Sequence, residues 1–252
     1  MKIDTVKASE KFINVVLKAA RTDKDNSKLL RKTLIGLLNK IGAKNFVTLT
    51  ADILKNKLRI EGCNDVRTPL KGIFEISLKE LEKAISDKEY HLPQEHPISF
   101  LSKDHKDSVN KLKSLNSELE KISERAYFTK VQNKIKDIKD YYAELDSHIR
   151  KEEEILFPVL EKSGMKEHPD SLREEHKTFR ALLSEVIEEF ETSTAENLDT
   201  AIKGSKRFVG KFTPDICNHI FRETYIFYPA ALEFITDADQ WKKIRKEFDQ
   251  LG

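Results

Sequence analysis

Apolar residues recur every three or four positions along most of the chain, which is the pattern of amphipathic α-helices. In the carboxy-terminal part this pattern predicts four long helices. The first begins at Pro97 and the second runs from about Tyr127 to Pro158. The third begins near Pro169, and the fourth begins at Thr213, an N-cap residue that precedes a proline. The predicted fold is therefore all-α, with a four-helix up-down bundle.

Further helices flank this bundle. Residues 194–212 form either a separate helix or an early segment of the fourth, and residues 239–248 form a short helix outside the bundle. A stretch with two prolines, residues 87–97, is the predicted linker to the amino-terminal part. We thus expect an amino-terminal helical domain of unknown role in residues 1–92 and the bundle in residues 93–252. The helices of the first domain are predicted at residues 9–20, 27–41, 43–58 and 69–85.

Composition excludes several classes of protein. Charged residues make up 35% of the chain and only eight residues are glycine, which favours long, solvated helices. The net charge is +2, with no basic patch for nucleic acid or for a membrane surface. No apolar run is long enough to span a bilayer, and the amino terminus lacks a signal peptide. Cys63 and Cys217 form no CxxC motif, and a cytoplasmic location is expected.

The chain contains an internal repeat with an offset of 71 residues, built from side chains that bind metals. An acid precedes and a lysine follows the first histidine of each half, and a His-x-x-x-Glu motif and a proline come later. With seven histidines, about one His-x-x-x-Glu is expected by chance, so the shared frame is the specific signal. The matching pairs are His105 and His176, His148 and His219, Glu152 and Glu223, and Pro158 and Pro229.

These histidines lie within apolar helical stripes, as His105 does between Leu101 and Val109. A histidine there is buried and needs a polar partner, which for any one of them is most simply a carbonyl or carboxylate of the core. Residues four apart on a helix share a face, so each His-x-x-x-Glu presents both side chains together. Six polar residues in one repeating frame therefore indicate a metal site.

Imidazole and carboxylate ligands favour iron, manganese or zinc over calcium and magnesium. Six ligands suit two ions better than one. Glu152 and Glu223 can each bridge both ions, while each ion takes two imidazoles. Since the six side chains carry a charge of only −2, two ferrous ions favour a further hydroxide or oxide bridge.

His105, His148-x-x-x-Glu152, His176 and His219-x-x-x-Glu223, in this order, resemble the hemerythrin-like family of four-helix di-iron proteins. The resemblance covers about residues 95–235. It implies that these six residues hold two iron ions, with an oxo or hydroxo bridge and both glutamates bridging.

Two departures separate this chain from the oxygen-carrying hemerythrins. Arg180 stands where they have a second histidine on the third helix, and Glu223 stands four residues after His219 where they have an aspartate five residues on. The four-His, two-Glu set is more similar to bacterial iron–sulfur cluster repair proteins. Residues 1–90 lack the Cys-Cys pair of those proteins, which argues against the repair activity itself.

Residues beside the ligands are candidates for a supporting role. Glu144 lies one turn before His148 and is predicted to accept from an imidazole or to shuttle protons. Glu175 is similar to a site-adjacent glutamate of the repair proteins, and Tyr141 is a candidate phenol near the metals or a core residue. Lys151 and Arg150 are predicted to be solvated.

The leading hypothesis is a non-haem di-iron protein that binds or reacts with dioxygen, nitric oxide or peroxide, in sensing, scavenging or cluster repair. Whether it turns over a substrate stays open. One alternative is a helical interaction or sensory module with a structural metal, whose amino-terminal domain contacts a protein partner. A ferritin-type oxidase is disfavoured, because no histidine follows a glutamate at the Glu-x-x-His spacing.

Overall fold

The computed structural model describes residues 11–12, 14–15, 18, 27–55, 73–121, 128–165, 167–194 and 198–251. Every regular element within these residues is helical, so the all-α prediction is confirmed. The amino-terminal helices are α1 Ser27–Ile41, α2 Ala43–Lys55 and α3 Leu78–Asp87. The long helices are α4 Pro97–Leu119; α5, with α-helical Phe128–Arg150 and Phe157–Lys162; α6 Glu167–Glu191; and α7, with Asp199–Arg207, Thr213–Arg222 and Tyr228–Phe234. The last helix is α8 Ala238–Leu251.

Helices α4 to α7 form the four-helix bundle. Helix α4 packs against α5, α5 against α6, and α6 against α7, while α7 also contacts α4. Because the connections are short, consecutive helices run antiparallel. Their apolar stripes meet in the interior, where Leu101, Leu112, Ile149, Leu183 and Ile216 are buried. This packing brings the histidines and glutamates of both halves of the repeat to the same level of the bundle.

Three prolines lie inside continuous helices, and each of them follows a π-helical turn. These turns are Lys151–Leu156 in α5, and Phe208–Phe212 and Glu223–Phe227 in α7. Each turn ends immediately before a residue that precedes a proline: Phe157 donates to the carbonyl of Glu152, and Tyr228 donates to that of Glu223. A proline ring would clash with the carbonyl four residues earlier in an α-helix, and the wider turn moves that carbonyl away.

Two predicted helix boundaries are therefore wrong. Helix α5 does not end at Pro158 but continues to Lys162. Thr213 is not an N-cap, because α7 begins at Asp199 and passes through Pro214 after a π-helical turn. Residues 199–212 thus form the early segment of the fourth helix. Proline in a sequence pattern predicts a boundary, but here it marks a local widening of a continuous helix.

Other boundaries agree with the prediction. Helix α4 begins at Pro97, and the side chain of His96 caps it by accepting the N–H of Ile98 over 3.1 Å. Helix α8 lies beside this start, with the Trp241 ring 4.5 Å from that of His96. Cys63 lies outside the described residues, as do most of the predicted helix at residues 9–20 and the parts of two others at residues 56–58 and 69–72. The prediction of one helix over residues 69–85 is wrong, because residues 75–77 are not helical and α3 begins at Leu78 after the N-cap Ser77.

The amino-terminal helices pack against α7. The side chain of Asn218 accepts the backbone N–H of Ile76 over 2.9 Å, and the Tyr225 hydroxyl donates to the carbonyl of Ala84 over 2.9 Å. Their buried side chains belong to the same continuous core as those of the bundle. The division into domains at residue 92 remains a prediction. Among the helices that the structure describes, none is long and apolar enough to cross a membrane.

Glu233 joins α7 to the amino terminus of α2. Its two carboxylate oxygens accept the N–H groups of Ala43 over 2.8 Å and Lys44 over 3.0 Å. These N–H groups have no partner within their own helix, and the helix dipole favours a negative charge at this end. Gly42 precedes them with φ of 84°, and a Cβ there would lie 3.1 Å from the Glu233 carboxylate.

We predict that Glu233→Ala lowers the free energy of unfolding by about 1 to 2 kcal/mol, because two N–H groups lose a charged acceptor. Urea unfolding of the full chain measures this loss. Glu247→Ala is the matched control, since Glu247 lies 3.9 Å from Lys243 on the surface of α8. Equal stabilities of the two variants would contradict a capping role for Glu233.

Candidate metal centre

The six predicted ligands meet in the middle of the bundle. Helix α4 supplies one histidine, α5 a histidine and a glutamate, α6 a histidine, and α7 a histidine and a glutamate. All six side chains are buried, with at most 5% of the residue surface exposed, and both glutamates are fully buried. These residues are His105, His148, Glu152, His176, His219 and Glu223.

The donor atoms fall into two groups, each within 4.8 Å of one another. One group contains His105, His148 and Glu223, and the other contains His176 and His219 with both glutamates. We call the imidazole pair of the first half of the repeat the first half-site (His105 and His148). The pair of the second half is the second half-site (His176 and His219). The two glutamates lie between them.

The Nε2 atoms of the histidines point inward. The Nε2 atoms of His176 and His219 are 3.0 Å apart, and that of His219 lies 2.9 Å from Oε1 of Glu223. The Nε2 atom of His105 lies 3.0 Å from Oε2 of Glu223, and that of His148 lies 3.7 Å from Oε2 of Glu152. Nitrogen lone pairs and carboxylate oxygens thus converge on one small volume.

An acidic residue holds the outer Nδ1 atom of the second histidine of each half. Asp104 Oδ2 lies 3.3 Å from Nδ1 of His148, and Glu175 Oε2 lies 2.8 Å from Nδ1 of His219. These two acids are the residues that precede His105 and His176, so the contacts repeat with the same offset of 71. A carboxylate at Nδ1 favours the tautomer whose proton is on Nδ1, which leaves the Nε2 lone pair free for a metal.

The residue after each glutamate holds the first histidine of the other half. Glu153 Oε1 lies 3.0 Å from Nδ1 of His176, and the hydroxyl of Thr224 lies 3.1 Å from Nδ1 of His105. Glu153 and Thr224 are again 71 positions apart, but one is charged and the other is neutral. All four imidazoles are therefore oriented from outside by a polar side chain.

Lysine and arginine side chains pair with the acids that contact the imidazoles. Lys151 donates to Asp104 over 3.0 Å, and Arg222 donates to Glu175. Arg180 donates to Glu153 over 2.9 Å, so the residue that replaces a histidine of the oxygen carriers supports a partner of His176. The prediction that Lys151 is solvated is wrong, since only 17% of its side chain is exposed.

The other predicted supporting residues lie at different distances from the centre. Glu175 contacts His219, as described above. Glu144 does not supply the partner of His148, because its carboxylate is 54% exposed and pairs with Lys111. Tyr141 is fully buried, and its hydroxyl bonds to Ser108 over 2.9 Å. Arg150 pairs with Glu154 on the surface, as expected of a solvated side chain.

Sequence reasoning missed four contacting residues: Asp104, Glu153, Thr224 and Tyr228. The repeat carried a signal for the first three, since each follows or precedes a ligand at matching positions in both halves. The helical pattern predicts Glu144 instead, because it shares a helical face with His148. The packing of α4 against α5 determines which acid reaches the imidazole of His148, because Asp104 lies on α4.

Tyr228 breaks the symmetry of the centre. Its hydroxyl donates to Oε1 of Glu152 over 2.8 Å and lies 3.2 Å from Nε2 of His105, and its ring stacks on that imidazole with centroids 5.3 Å apart. The matching residue is Phe157, which stacks on His176 with centroids 5.9 Å apart. The two aromatic rings fix the planes of the imidazoles on which they stack, but only Tyr228 also brings a hydroxyl to a glutamate.

The residues present fit a cation. Within the described part of the chain, Nε2 of His148, Oε2 of Glu152 and Oε1 of Glu223 are buried and accept no hydrogen bond. Buried polar atoms without partners are costly, and two imidazole nitrogens 3.0 Å apart repel unless a proton or cation lies between them. One or more metal ions satisfy all of these atoms together, and nitrogen with carboxylate oxygen is the donor set of iron, manganese or zinc.

The pKa values of the two glutamates are shifted in opposite directions. Burial and the neighbouring Glu223 raise the pKa of Glu152 well above its ordinary value. Burial also opposes ionisation of Glu223, but the charge of His219 and hydrogen bonds from the imidazoles outweigh it and lower the pKa of Glu223.

Pairing affects the outer groups as well. Burial acts to raise the pKa of Asp104, but His148 and Lys151 outweigh it and hold the pKa at about 2. Burial likewise opposes ionisation of Glu175, while His219 and Arg222 lower its pKa to about 2. Burial lowers the pKa of His148 to about 4, so this imidazole is neutral and able to bind a metal near neutral pH.

This arrangement defines a helical-bundle protein with a buried cation-binding centre. The model of the hemerythrin HHE cation-binding domain matches residues 96–231, more than half of the chain, and the chain belongs to this family. Domains of this family bind metal, typically iron. Comparisons with curated proteins and with solved structures found no match.

We predict that Tyr228→Phe destabilises the metal-free protein in a pH-dependent way. Because burial raises the pKa of Glu152 in the folded state, ionising it costs stability as the pH rises above its unfolded value. The Tyr228 hydroxyl stabilises the ionised carboxylate, so its loss lowers the free energy of unfolding by more at alkaline pH than at pH 4, with a difference of about 1 to 3 kcal/mol. Urea unfolding at both pH values measures the difference.

Tyr141→Phe is the matched control for this prediction. Tyr141 is equally buried, but its hydroxyl bonds to the neutral Ser108. Its removal should cost about 1 kcal/mol at both pH values. A pH-independent loss in both variants would contradict the assigned role of Tyr228.

Proposed function

We propose that this chain is a non-haem di-iron protein whose centre binds or reacts with dioxygen, nitric oxide or peroxide. The observation that supports this proposal most is the convergence of four inward Nε2 atoms on two buried glutamates. Each imidazole is also held at Nδ1 by an outer partner, which is the arrangement expected of a metal ligand rather than of a core histidine.

The number of donors supports two ions rather than one. Each half-site offers two imidazoles, and Glu223 belongs to both groups of donor atoms. Glu152 belongs to the group of His176 and His219, and its Oε2 lies 3.7 Å from Nε2 of His148. Four imidazoles and two carboxylates leave coordination positions for an exogenous ligand on six-coordinate ions. Iron supplies redox chemistry and open positions for small ligands when it is bound. The protein supplies the orientation of the imidazoles and a buried, largely apolar surrounding.

A cavity connects the centre with the outside. It has a volume of about 400 Å³ and is bounded mainly by α4 and α5. Ser108, Tyr141 and Lys111 line it, and it reaches His105 and His148 with Glu223 and His219 at its inner end. The Lys111–Glu144 pair stands on its wall near the surface. A cavity of this size admits a diatomic molecule or peroxide, and it also lies within the range of about 300 to 1,000 Å³ that small-molecule pockets occupy.

The opposite side of the centre is closed by aromatic rings. Phe157 stacks on His176, and Phe179 packs edge-on against His219 with centroids 5.0 Å apart. Both rings are buried. Access by a small ligand therefore favours the side of α4 and α5, where the repeat has Ser108 in the place of Phe179.

A sensory role has one specific observation in its favour. The amino-terminal helices contact α7 at Asn218 and Tyr225, which flank the ligands His219 and Glu223. A change at the centre that moves α7 is thereby transmitted to these helices, and a protein partner bound to them would respond to it. The alternative of a purely structural metal predicts no response to small ligands.

We predict that the full chain, prepared anaerobically with ferrous iron, binds about two iron ions. His148→Ala and His219→Ala each remove one donor from a different half-site, so both should lower iron content and thermal stability. Iron is quantified by elemental analysis, and oxidation should give the near-ultraviolet absorption of a coupled ferric pair. His168→Ala, on α6 outside the centre, is the control.

Retention of two irons in both histidine variants would contradict the assignment of these ligands. Absence of iron from the wild-type chain after this preparation would contradict the proposed function itself. Binding of zinc with no spectral response to nitric oxide would favour the structural alternative.

We predict that Ser108→Phe slows the spectral change produced by nitric oxide in the ferrous protein and leaves iron content unchanged. Phe179 is the residue of the second half that matches Ser108, so the substitution makes the two halves alike. Its phenyl ring fills the cavity that Ser108 lines. Stopped-flow absorbance measures the rate. Ser114→Phe, at an exposed position of the same helix, is the control. An unchanged rate in Ser108→Phe would show that ligands enter elsewhere.

A further inference from the structure

The ligands of the two half-sites are of the same kind, but the groups behind them differ. In the second half-site both imidazoles meet a carboxylate at Nδ1, namely Glu153 over 3.0 Å and Glu175 over 2.8 Å. In the first half-site only His148 does, through Asp104, while His105 meets the hydroxyl of Thr224. The other pair of outer partners, Asp104 and Glu175, is acidic in both halves. The two halves therefore differ in the partner of the first histidine, which is Glu153 in one and Thr224 in the other.

We propose that the two metal positions are inequivalent, and that the second half-site fills first and holds its ion more tightly. Glu153 and Thr224 are the positioning residues that set this order. The inference rests on the proposed function, because it presupposes that both half-sites bind an ion. It concerns the order and affinity of loading, which the number and kind of ligands do not determine.

Charge supports this order. Around the second half-site the contacting groups are the anions Glu153 and Glu175, with Arg180 and Arg222 as their cations. Arg180 is shared with Asp146 over 2.7 Å, which leaves one net negative charge in this layer. Around the first half-site Asp104 pairs with Lys151, and Thr224 is neutral, so no net charge remains. These charged side chains are partly exposed, so screening reduces the effect, but an excess of negative charge beside the centre still attracts a divalent cation more strongly.

Ligand basicity acts in the same direction. An imidazole whose Nδ1–H donates to a carboxylate is a stronger donor at Nε2 than one that donates to a hydroxyl. His176 has such a partner and His105 does not. Loss of a partner of this kind typically lowers metal affinity by about ten- to one-hundredfold. The expected difference between the two half-sites is of this order.

Access to solvent adds a kinetic difference. The cavity between α4 and α5 reaches both imidazoles of the first half-site but only His219 of the second, and Phe157 and Phe179 pack against the second half-site from the other side. An ion in the first half-site therefore exchanges more readily. The structure thus assigns one retained position and one labile position to a centre whose ligands are symmetrical.

The test is a titration of the metal-free full chain with Co²⁺, followed by visible absorption and calorimetry. We expect two phases of one ion each, with dissociation constants about ten- to one-hundredfold apart. Glu153→Gln keeps an acceptor for Nδ1 but removes its charge, and it should weaken the tight phase by about tenfold or more while leaving the weak phase nearly unchanged. Glu154→Gln is the matched control, because it removes the same charge from the next residue, which lies on the surface.

Two ligand variants assign the phases to half-sites. His148→Ala should retain the tight phase and lose the weak one, and His219→Ala should do the reverse. Two ions bound with one shared constant, or a tight phase that survives only in His219→Ala, would overturn the inference and leave the proposed function intact. Equal effects of Glu153→Gln and Glu154→Gln would also overturn it. Failure of the wild-type chain to bind any Co²⁺ would overturn the proposed function together with the inference.

Discussion

Two fully buried glutamates next to four inward-facing imidazoles are the constraint on which the rest of this structure depends. Burial of carboxylates costs several kcal/mol each unless positive charge compensates it. Hydrogen bonds compensate only part of the cost, since Oε2 of Glu152 and Oε1 of Glu223 accept none within the described residues. The centre is thus arranged for cations, and the membership of the chain in the hemerythrin HHE cation-binding family agrees with it.

The repeat extends outward from this constraint in layers. An imidazole points inward, a carboxylate or hydroxyl holds its outer nitrogen, and a cation such as Lys151 or Arg222 holds the carboxylate. Each layer fixes the one inside it, which reduces the entropy that would be lost when a metal orders its ligands. The prolines belong to the same design, because Pro158 and Pro229 set the π-helical turns that begin at or beside the two glutamates. Such turns recur at functional sites, where they redirect side chains that an α-helix would place elsewhere.

The sequence predicted the all-α fold, the four long helices and the set of six residues that the structure brings together. It did so because these features repeat: apolar residues with the helical period, and His and Glu with an offset of 71. Features that depend on a contact between helices were predicted less well. Asp104 reaches His148 across the α4–α5 interface, whereas the predicted partner, Glu144, shares a helix with His148 and points to solvent. Helix α7 continues through Pro214 because tertiary packing and a π-helical turn outweigh the local preference of proline for a helix start.

The six predicted ligands are symmetrical between the two halves of the repeat, but the residues that surround them are not. Ser108 and Phe179 occupy matching positions, and so do Thr224 and Glu153, and Tyr228 and Phe157. Ser108 leaves the first half-site open to the cavity and Thr224 gives it a neutral contact, whereas Phe179 and Glu153 close the second half-site and give it a charged contact. Tyr228 and Phe157 both stack on an imidazole, but only Tyr228 donates to a glutamate. In the proposed di-iron centre, the repeated helix pairs provide two similar metal positions, and the residues behind the ligands distinguish them.

Anomalous diffraction at the iron edge, from crystals of the full chain grown anaerobically with ferrous iron, tests the central claim most directly. The account predicts two iron peaks about 3.5 to 4 Å apart between the two glutamates, each within bonding distance of the imidazoles of one half-site. A centre with no iron peak, or iron bound only at surface residues while the six side chains keep their metal-free contacts, would contradict it.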